Sequence, residues 1–140
     1  MLSVYPACFF KEENGYSVVF PDLNSATSGE TIDDAMNMAI DLLAGLVYSA
    51  KIDGEELPPA SALQTIDIGS VAKDLDSSPY DRDHSFVNLV SVDAEEYAKL
   101  HFTKSVKKTL SIPLWMNDKA VAMGINFSQT LQEALLQKFV

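Results

Sequence analysis

The last 36 residues of the chain, 105 to 140, are too few to enclose a core of their own, yet they are patterned as ordered structure. Lys104 to Pro113 reads KSVKKTLSIP, an alternating stretch with three lysines, and two amphipathic stretches follow, Leu114 to Gly124 and Ser128 to Val140. Units below about 40 residues generally need a metal, disulfides or a partner chain to stay folded. Cys8 is the one cysteine, so no intramolecular disulfide forms, and His84 and His101 give no zinc-like spacing. The tail must therefore be stabilised by oligomerisation or docking. It also differs in charge: four lysines stand against Asp118 and Glu133, a balance of +2, while the preceding 104 residues hold six basic and 18 acidic groups, a balance of −12. A basic appendage is fused to an acidic body.

The body has room for a real core, with 47% of the 140-residue chain hydrophobic. Leu2 to Phe10 and Tyr16 to Phe20 are rich in Val, Tyr and Phe, and KEENG between them supplies a turn, so an antiparallel hairpin is expected. Pro21-Asp22-Leu23-Asn24 interrupts the pattern before a short edge strand at Ser25 to Ser28. Thr31 then caps a helix with Asp33 and Asp34 in its first turn. Ile32, Met36, Ala39, Ile40, Leu43, Leu46, Val47 and Ala50 form its apolar stripe, and Gly54 ends it. Gln64 to Ile68 reads as a short strand, Asp74 to Asp83 as a polar connection and Phe86 to Val92 as a further strand. Asp93 caps AEEYAKLHF, with Tyr97 and Leu100 on one apolar face. The expected class is α+β: a small antiparallel sheet on a long helix, followed by the tail. No basic n-region opens the chain, and the richest apolar run, Leu42 to Val47, is far short of a membrane span, so a cytoplasmic protein without membrane contact is expected.

The run YPACFFKEENGYSVVFPDLNSATSGETIDDAMNMAIDLLAGLV resembles the N-terminal domain of HicB antitoxins, in its Tyr-Pro strand, its Gly-Tyr strand ending in Phe-Pro-Asp-Leu, its Ser/Thr-Gly-x-Thr turn and its Asp- and Ala-rich helix. The match covers roughly residues 5 to 50. The resemblance implies a compact fold related to part of ribonuclease H, and a role in neutralising a HicA toxin, a small RNA-cleaving protein that looks like a double-stranded-RNA-binding domain. HicB antitoxins end in either a helix-turn-helix or a ribbon-helix-helix. Strand, helix, helix is the order of the second.

That order divides the chain into residues 1–103, a toxin-neutralising domain, and 104–140, a ribbon-helix-helix. In the expected strand, Val106, Lys108, Leu110 and Ile112 share one face, and Lys107, Thr109 and Ser111 the other. Two such strands paired across a two-fold axis make a ribbon that the DNA major groove admits, where Lys107, Thr109 and Ser111 meet base edges and Lys104 and Lys108 the phosphates. Ser128 reads as the N-cap of the last helix, whose start, Asn126, Phe127 and Ser128, is placed to clamp a phosphate. A homodimer through the tail follows, with higher oligomers open. The bland alternative for the lysine-bearing face is a solvated strand edge.

A basic, RNA-cleaving partner is met by an acidic surface, for which Glu12, Glu13, Asp22, Glu30, Asp33, Asp34 and Asp41 are the candidates by sign and expected exposure; their alternative is a solubilising face. Two other functions stay in competition with an antitoxin that represses its own operon. One is a stand-alone dimeric repressor whose acidic domain senses a ligand. The other is a metal-dependent nuclease using carboxylates such as Asp22, Asp34, Asp41 or Asp53, but most acidic residues fall at caps and turns and no triad is evident, so no enzyme, metal or cofactor is expected.

Overall fold

The computed structural model describes residues 1–76, 79–102 and 105–139. The chain divides into two compact units, Met1–Lys104 and Ser105–Val140.

In the first unit, strands β1 (Ser3–Glu12) and β2 (Gly15–Phe20) form a hairpin around the two-residue turn Glu13–Asn14, with Glu12 opposite Gly15 and Cys8 opposite Val19. β1 is buried at every residue from Pro6 to Phe10, because both faces of the sheet are covered. Pro6 is tolerated in this inner strand because the pairing with β2 stops at Cys8, so the hydrogen bond a proline cannot donate is not required. Pro21–Leu23 forms a single 3-10 turn, with Asn24 left-handed at φ 47°, and leads into β3 (Ser25–Gly29) at one sheet edge. β4 (Phe86–Val92) pairs antiparallel with β1 at the other, giving the order β3-β2-β1-β4.

Helix α1 (Ile32–Asp53) starts and stops where local chemistry directs. Thr31 Oγ1 accepts from the Asp34 amide at 3.1 Å, and Asp34 Oδ2 accepts from the Glu30 amide at 2.9 Å, a reciprocal cap displaced by one residue from the usual box. At the other end Gly54 is left-handed at φ 68°, and the Gly54 and Glu55 amides bond the Lys51 and Ala50 carbonyls, a Schellman motif. The buried residues are Ala35, Ala39, Leu43, Ala44 and Ala50; the alanines 35, 39 and 44 let the helix lie close to Phe9, Val18, Phe20, Val90 and Val92, with Leu43 packed among them. By length and mean hydropathy, 1.2 over its richest window, α1 could span a bilayer, which the short run Leu42 to Val47 did not suggest. Its alanine and leucine stripe is spent on the sheet.

Helix α3 (Ala94–His101), capped by Asp93, sits beside α1 and buries Ala94 and Ala98, with Tyr97 and Phe102 against the core. Leu100, expected on the apolar face with Tyr97, is 82% exposed, because the buried stripe runs through the alanines. Lys51 and Glu95 form an ion pair between the two helices.

The strand expected over Gln64 to Ile68 is not formed. Leu63–Thr65 is a 3-10 turn and Ile68–Asp74 is helix α2, because Asp67 accepts from the Gly69 and Ser70 amides at 3.0 and 3.3 Å and starts a helix where β-branched residues alone suggest a strand. Ile66, Ile68, Val71, Ala72 and Tyr80 cover the second face of the sheet over Cys8, Phe10, Val19 and Val87. Burial pushes the Cys8 thiol up to about 11, which leaves it un-ionised at neutral pH.

In the second unit, α4 (Leu114–Ala122) and α5 (Phe127–Lys138) are joined through Gly124, left-handed at φ 68°. Residues 105–113 form no strand in the single chain. A strand needs a neighbour for its hydrogen bonds, and the neighbour expected here belongs to a second copy. The N-cap of α5 is Asn126, whose Oδ1 accepts from the Gln129 amide at 3.1 Å, not Ser128, which lies inside the helix.

Candidate partner surfaces

The acidic surface is built by two glycines. Gly15 follows the hairpin turn at φ +116°, a conformation that side-chain-bearing residues rarely adopt, and a methyl there would fall 2.9 Å from Glu30 Cα and closer still to the Gly29 carbonyl. Gly29 in turn lies against the first turn of α1, where a methyl would meet Asp34 C at 2.7 Å and Ala35 Cα at 2.6 Å. Because the backbones touch, the hairpin tip with Glu12 and Glu13, the β3 end with Glu30, and the helix start with Asp33 and Asp34 share one end of the sheet.

The five carboxylates are not equivalent. Ser17 Oγ donates to Glu12 Oε1 at 2.9 Å, and Asp34 is engaged in its cap. Glu13, Glu30 and Asp33 are exposed, and their carboxylates make no hydrogen bond or ion pair among the described residues, so they are free to meet a cation. Lys11 offers little cancelling charge outward: its Nζ donates to the Glu12 and Gly15 carbonyls at 2.8 and 3.4 Å and lies 5.1 Å from the Tyr16 ring centre.

Two of the expected acidic residues lie elsewhere. Asp22 follows β2 at the opposite end of the sheet, and both its oxygens are taken: Ser61 N donates to one at 2.8 Å and Ser61 Oγ to the other at 2.6 Å. Together with the Tyr5 hydroxyl, which donates to the Pro58 carbonyl at 2.6 Å, this pins the connection that crosses to the second sheet face. Asp22 is thus a structural tether. Asp22→Ala is expected to cost ~1 to 3 kcal/mol of stability, read by urea unfolding, while leaving partner affinity within about twofold. Asp41 lies two turns along α1 and accepts from the Tyr97 hydroxyl at 3.0 Å, a bond that, after burial, raises the tyrosine pKa.

Asp76 and Asp81 carry no distinguishing mark in the sequence. The structure sets them with Glu12 and Glu13 around a hollow of about 370 Å³ that Phe10, Lys11, Pro79 and Tyr80 also line. The His84 ring and amide both bond Asp81, and the ring hydrogen bond is the main reason its carboxyl titrates below the usual range. The sign follows: a depressed carboxylate stabilises the fold above its unfolded pKa and loses that contribution as pH falls through the folded value. His84→Ala should move the Asp81 titration upward, toward an ordinary aspartate, in a carboxyl-carbon NMR titration.

In the second unit Lys107, Lys108, Thr109, Ser111, Asn126, Phe127 and Ser128 are all exposed, and Lys104 lies outside the described residues. Neither α4 nor α5 buries any residue. Trp115, Val121, Met123, Leu135, Leu136 and Phe139 are all exposed among the described residues, an apolar surface.

Among the described residues no group of three or more His, Cys, Asp or Glu is placed to hold a metal. Asp22 and Asp34, the carboxylates most open to a nuclease reading, stand at opposite ends of the sheet.

No protein-family model matches the chain, and no curated protein does. Solved structures do. A chain of a toxin-antitoxin complex from Streptococcus pneumoniae is 38% identical, with 99% of each chain covered and a TM-score of 0.66. The antitoxin HicB of Burkholderia pseudomallei is 24% identical over 99% of both chains with a TM-score of 0.45, and a chain of a HicA3 and HicB3 toxin-antitoxin complex is 20% identical over 62% of this chain and 94% of its own, at 0.47.

Proposed function

The chain belongs to the HicB antitoxin family, and on that premise we propose that it neutralises a HicA-type RNA-cleaving toxin through Met1–Lys104 and represses its own operon as a dimer through Ser105–Val140. The observation that carries the first half is the 38% identity, end to end, with a chain of a toxin-antitoxin complex. Glu12, Glu13, Glu30, Asp33 and Asp34, gathered at one end of the sheet, supply a surface suited to a basic, RNA-binding partner. Such a surface accelerates association and competes for the groups that would otherwise hold RNA phosphates. The protein acts in the cytoplasm, where mRNA and operator both lie, and by binding rather than catalysis, with no metal or cofactor.

The second half is supported by the uncovered apolar surface of α4 and α5, which a second copy would bury. Pairing would give residues 107–112 the strand neighbour they lack. Lys107, Thr109 and Ser111 would then face base edges, Lys104 and Lys108 the phosphates, and the start of α5 at Asn126, Phe127 and Ser128 a further phosphate.

The test is reversal of Glu13, Glu30 and Asp33 to lysine in the full chain, none of which holds the fold together. Toxin affinity should drop at least ~100-fold, mostly in the association rate and more steeply at low salt, with rescue of growth lost. Unchanged neutralisation would remove this end of the sheet from the toxin interface.

A further inference from the structure

Of the asparagines at positions 14, 24, 37, 88, 117 and 126, only Asn14 is followed by glycine. The pair sits at the tip of the hairpin between β1 and β2, where Asn14 is exposed and its carboxamide makes no hydrogen bond among the described residues. Asparagine is a thermally labile side chain. Its carboxamide carbon is open to attack by the backbone nitrogen of the next residue, and a side chain on that residue crowds the approach. Gly15 has none, and it takes the positive φ of the turn, +116°. Its pairing with Glu12 is the last rung of the ladder before the turn, and end rungs open more readily than inner ones. The other asparagines differ. Asn24 is exposed at φ 47°, but Ser25 follows it with a side chain fixed by a 3.0 Å bond to the Leu23 carbonyl. Asn88 and Asn126 spend their carboxamide oxygens on the Leu89 and Gln129 amides, at 2.9 and 3.1 Å.

We propose that Asn14 is a self-modification site, converted with time to aspartate and isoaspartate, and that the isoaspartyl form loosens the hold of the acidic end on the toxin. The Gly15 nitrogen gives its proton to water or hydroxide and attacks Asn14 Cγ. The carboxamide C–N bond breaks, ammonia leaves with a proton, and a succinimide ring closes. Water then opens the ring. Addition at Cγ gives aspartate; addition at the backbone carbonyl of residue 14 gives isoaspartate, whose main chain runs through Cβ and Cγ. One water is consumed, one ammonia is released, and nothing is oxidised or reduced. Either product adds a carboxylate to the end of the sheet that holds Glu12, Glu13, Glu30, Asp33 and Asp34. Charge alone would favour a basic partner. Isoaspartate also inserts a methylene into the backbone of a two-residue turn. The turn cannot absorb it by drawing Gly15 inward, since Gly15 already lies against the Gly29 carbonyl and Glu30 Cα. The rung between Glu12 and Gly15 breaks or the tip swings out, and either way Glu12 and Glu13 part from Glu30 and Asp33. The effect on the toxin rests on the toxin-binding reading of this end of the sheet; the chemistry at Asn14 does not.

The test incubates the full chain at mildly alkaline pH and counts isoaspartate by enzymatic methyl transfer from S-adenosylmethionine, located by peptide mapping. Label is expected in the peptide holding residue 14 and not in those holding Asn24 or Asn88. It should rise with pH, because the attacking nitrogen must lose its proton, and be absent from Asn14→Gln, whose longer side chain would have to close a larger ring. Affinity of the aged chain for the HicA-type toxin should fall about 10-fold with the fold retained by circular dichroism. Aged Asn14→Gln should keep its affinity, and so should fresh Asn14→Asp, which adds the charge without the extra methylene. No label at residue 14, or equal label at Asn24, would overturn the modification. An equal loss of affinity in aged Asn14→Gln would overturn its role by tracing the loss to another change. Label at residue 14 with affinity unchanged would confirm the modification and overturn its effect on the toxin. Reversal of Glu13, Glu30 and Asp33 then tells the two failures apart, since neutralisation that survives it places the fault in the toxin-binding reading and not at Asn14.

Discussion

Replacing Leu135 and Leu136 together with glutamate should abolish operator binding and leave the fold of the first unit unchanged. Both side chains are exposed in the single chain, so the substitution costs the isolated molecule little. In the proposed dimer the same positions would be core, and a carboxylate buried there without a partner costs several kcal/mol. A loss of ~4 kcal/mol in dimerisation is roughly a thousandfold, and DNA affinity falls with it because one module cannot present a paired ribbon. Sedimentation should show the tail contact gone, gel shift should show no operator complex, and toxin neutralisation should persist. Retained operator binding by the double variant would place DNA contact elsewhere and end the ribbon-helix-helix reading.

Gly29→Ala is the second large effect, and it acts on the toxin half. The added methyl would lie within van der Waals distance of three backbone atoms in the first turn of α1, at Asp34 C, Ala35 N and Ala35 Cα, none of which can swing aside like a side chain. Either the helix start lifts from the sheet or β3 leaves β2. Overpacking of this kind typically costs ~1 to 3 kcal/mol and occasionally more, and contact with backbone puts Gly29 at the upper end. For a unit near 100 residues ~3 kcal/mol lowers the melting temperature by roughly 12 to 24 °C. Because Glu30, Asp33 and Asp34 flank the contact, toxin affinity should fall below what the folded fraction accounts for. Gly54→Ala is the control: it strains a left-handed cap at φ 68° but meets no atom within 4 Å, so it should cost less stability and no specific affinity.

Much of the body was legible because its signals are local. Thr31, Asp34 and Gly54 bound α1, Asp93 starts α3, and each acts on amides or carbonyls within about four residues of itself. Where the reading failed, two local signals competed. Ile66 and Ile68 suggested a strand, and the Asp67 cap won because an amide bonded inside its own turn needs no distant partner. Ser128 was displaced as a cap by Asn126 for the same kind of reason: both can accept from an amide, and the one two residues earlier did.

The sequence by itself determined the α+β class, the hairpin and the long helix, since these depend on residue counts, periodicity and caps whose partners lie within a turn. Only the tertiary structure decided which carboxylates are free. Asp22 and Ser61 are 39 residues apart, and Asp41 and Tyr97 are 56 apart, so their hydrogen bonds depend on the whole path of the chain between them. The same holds for the two glycines that gather the acidic end. A side chain's charge is written in the sequence, but whether that charge is spent inside the molecule or offered to a partner is set by long-range packing, which no local pattern encodes.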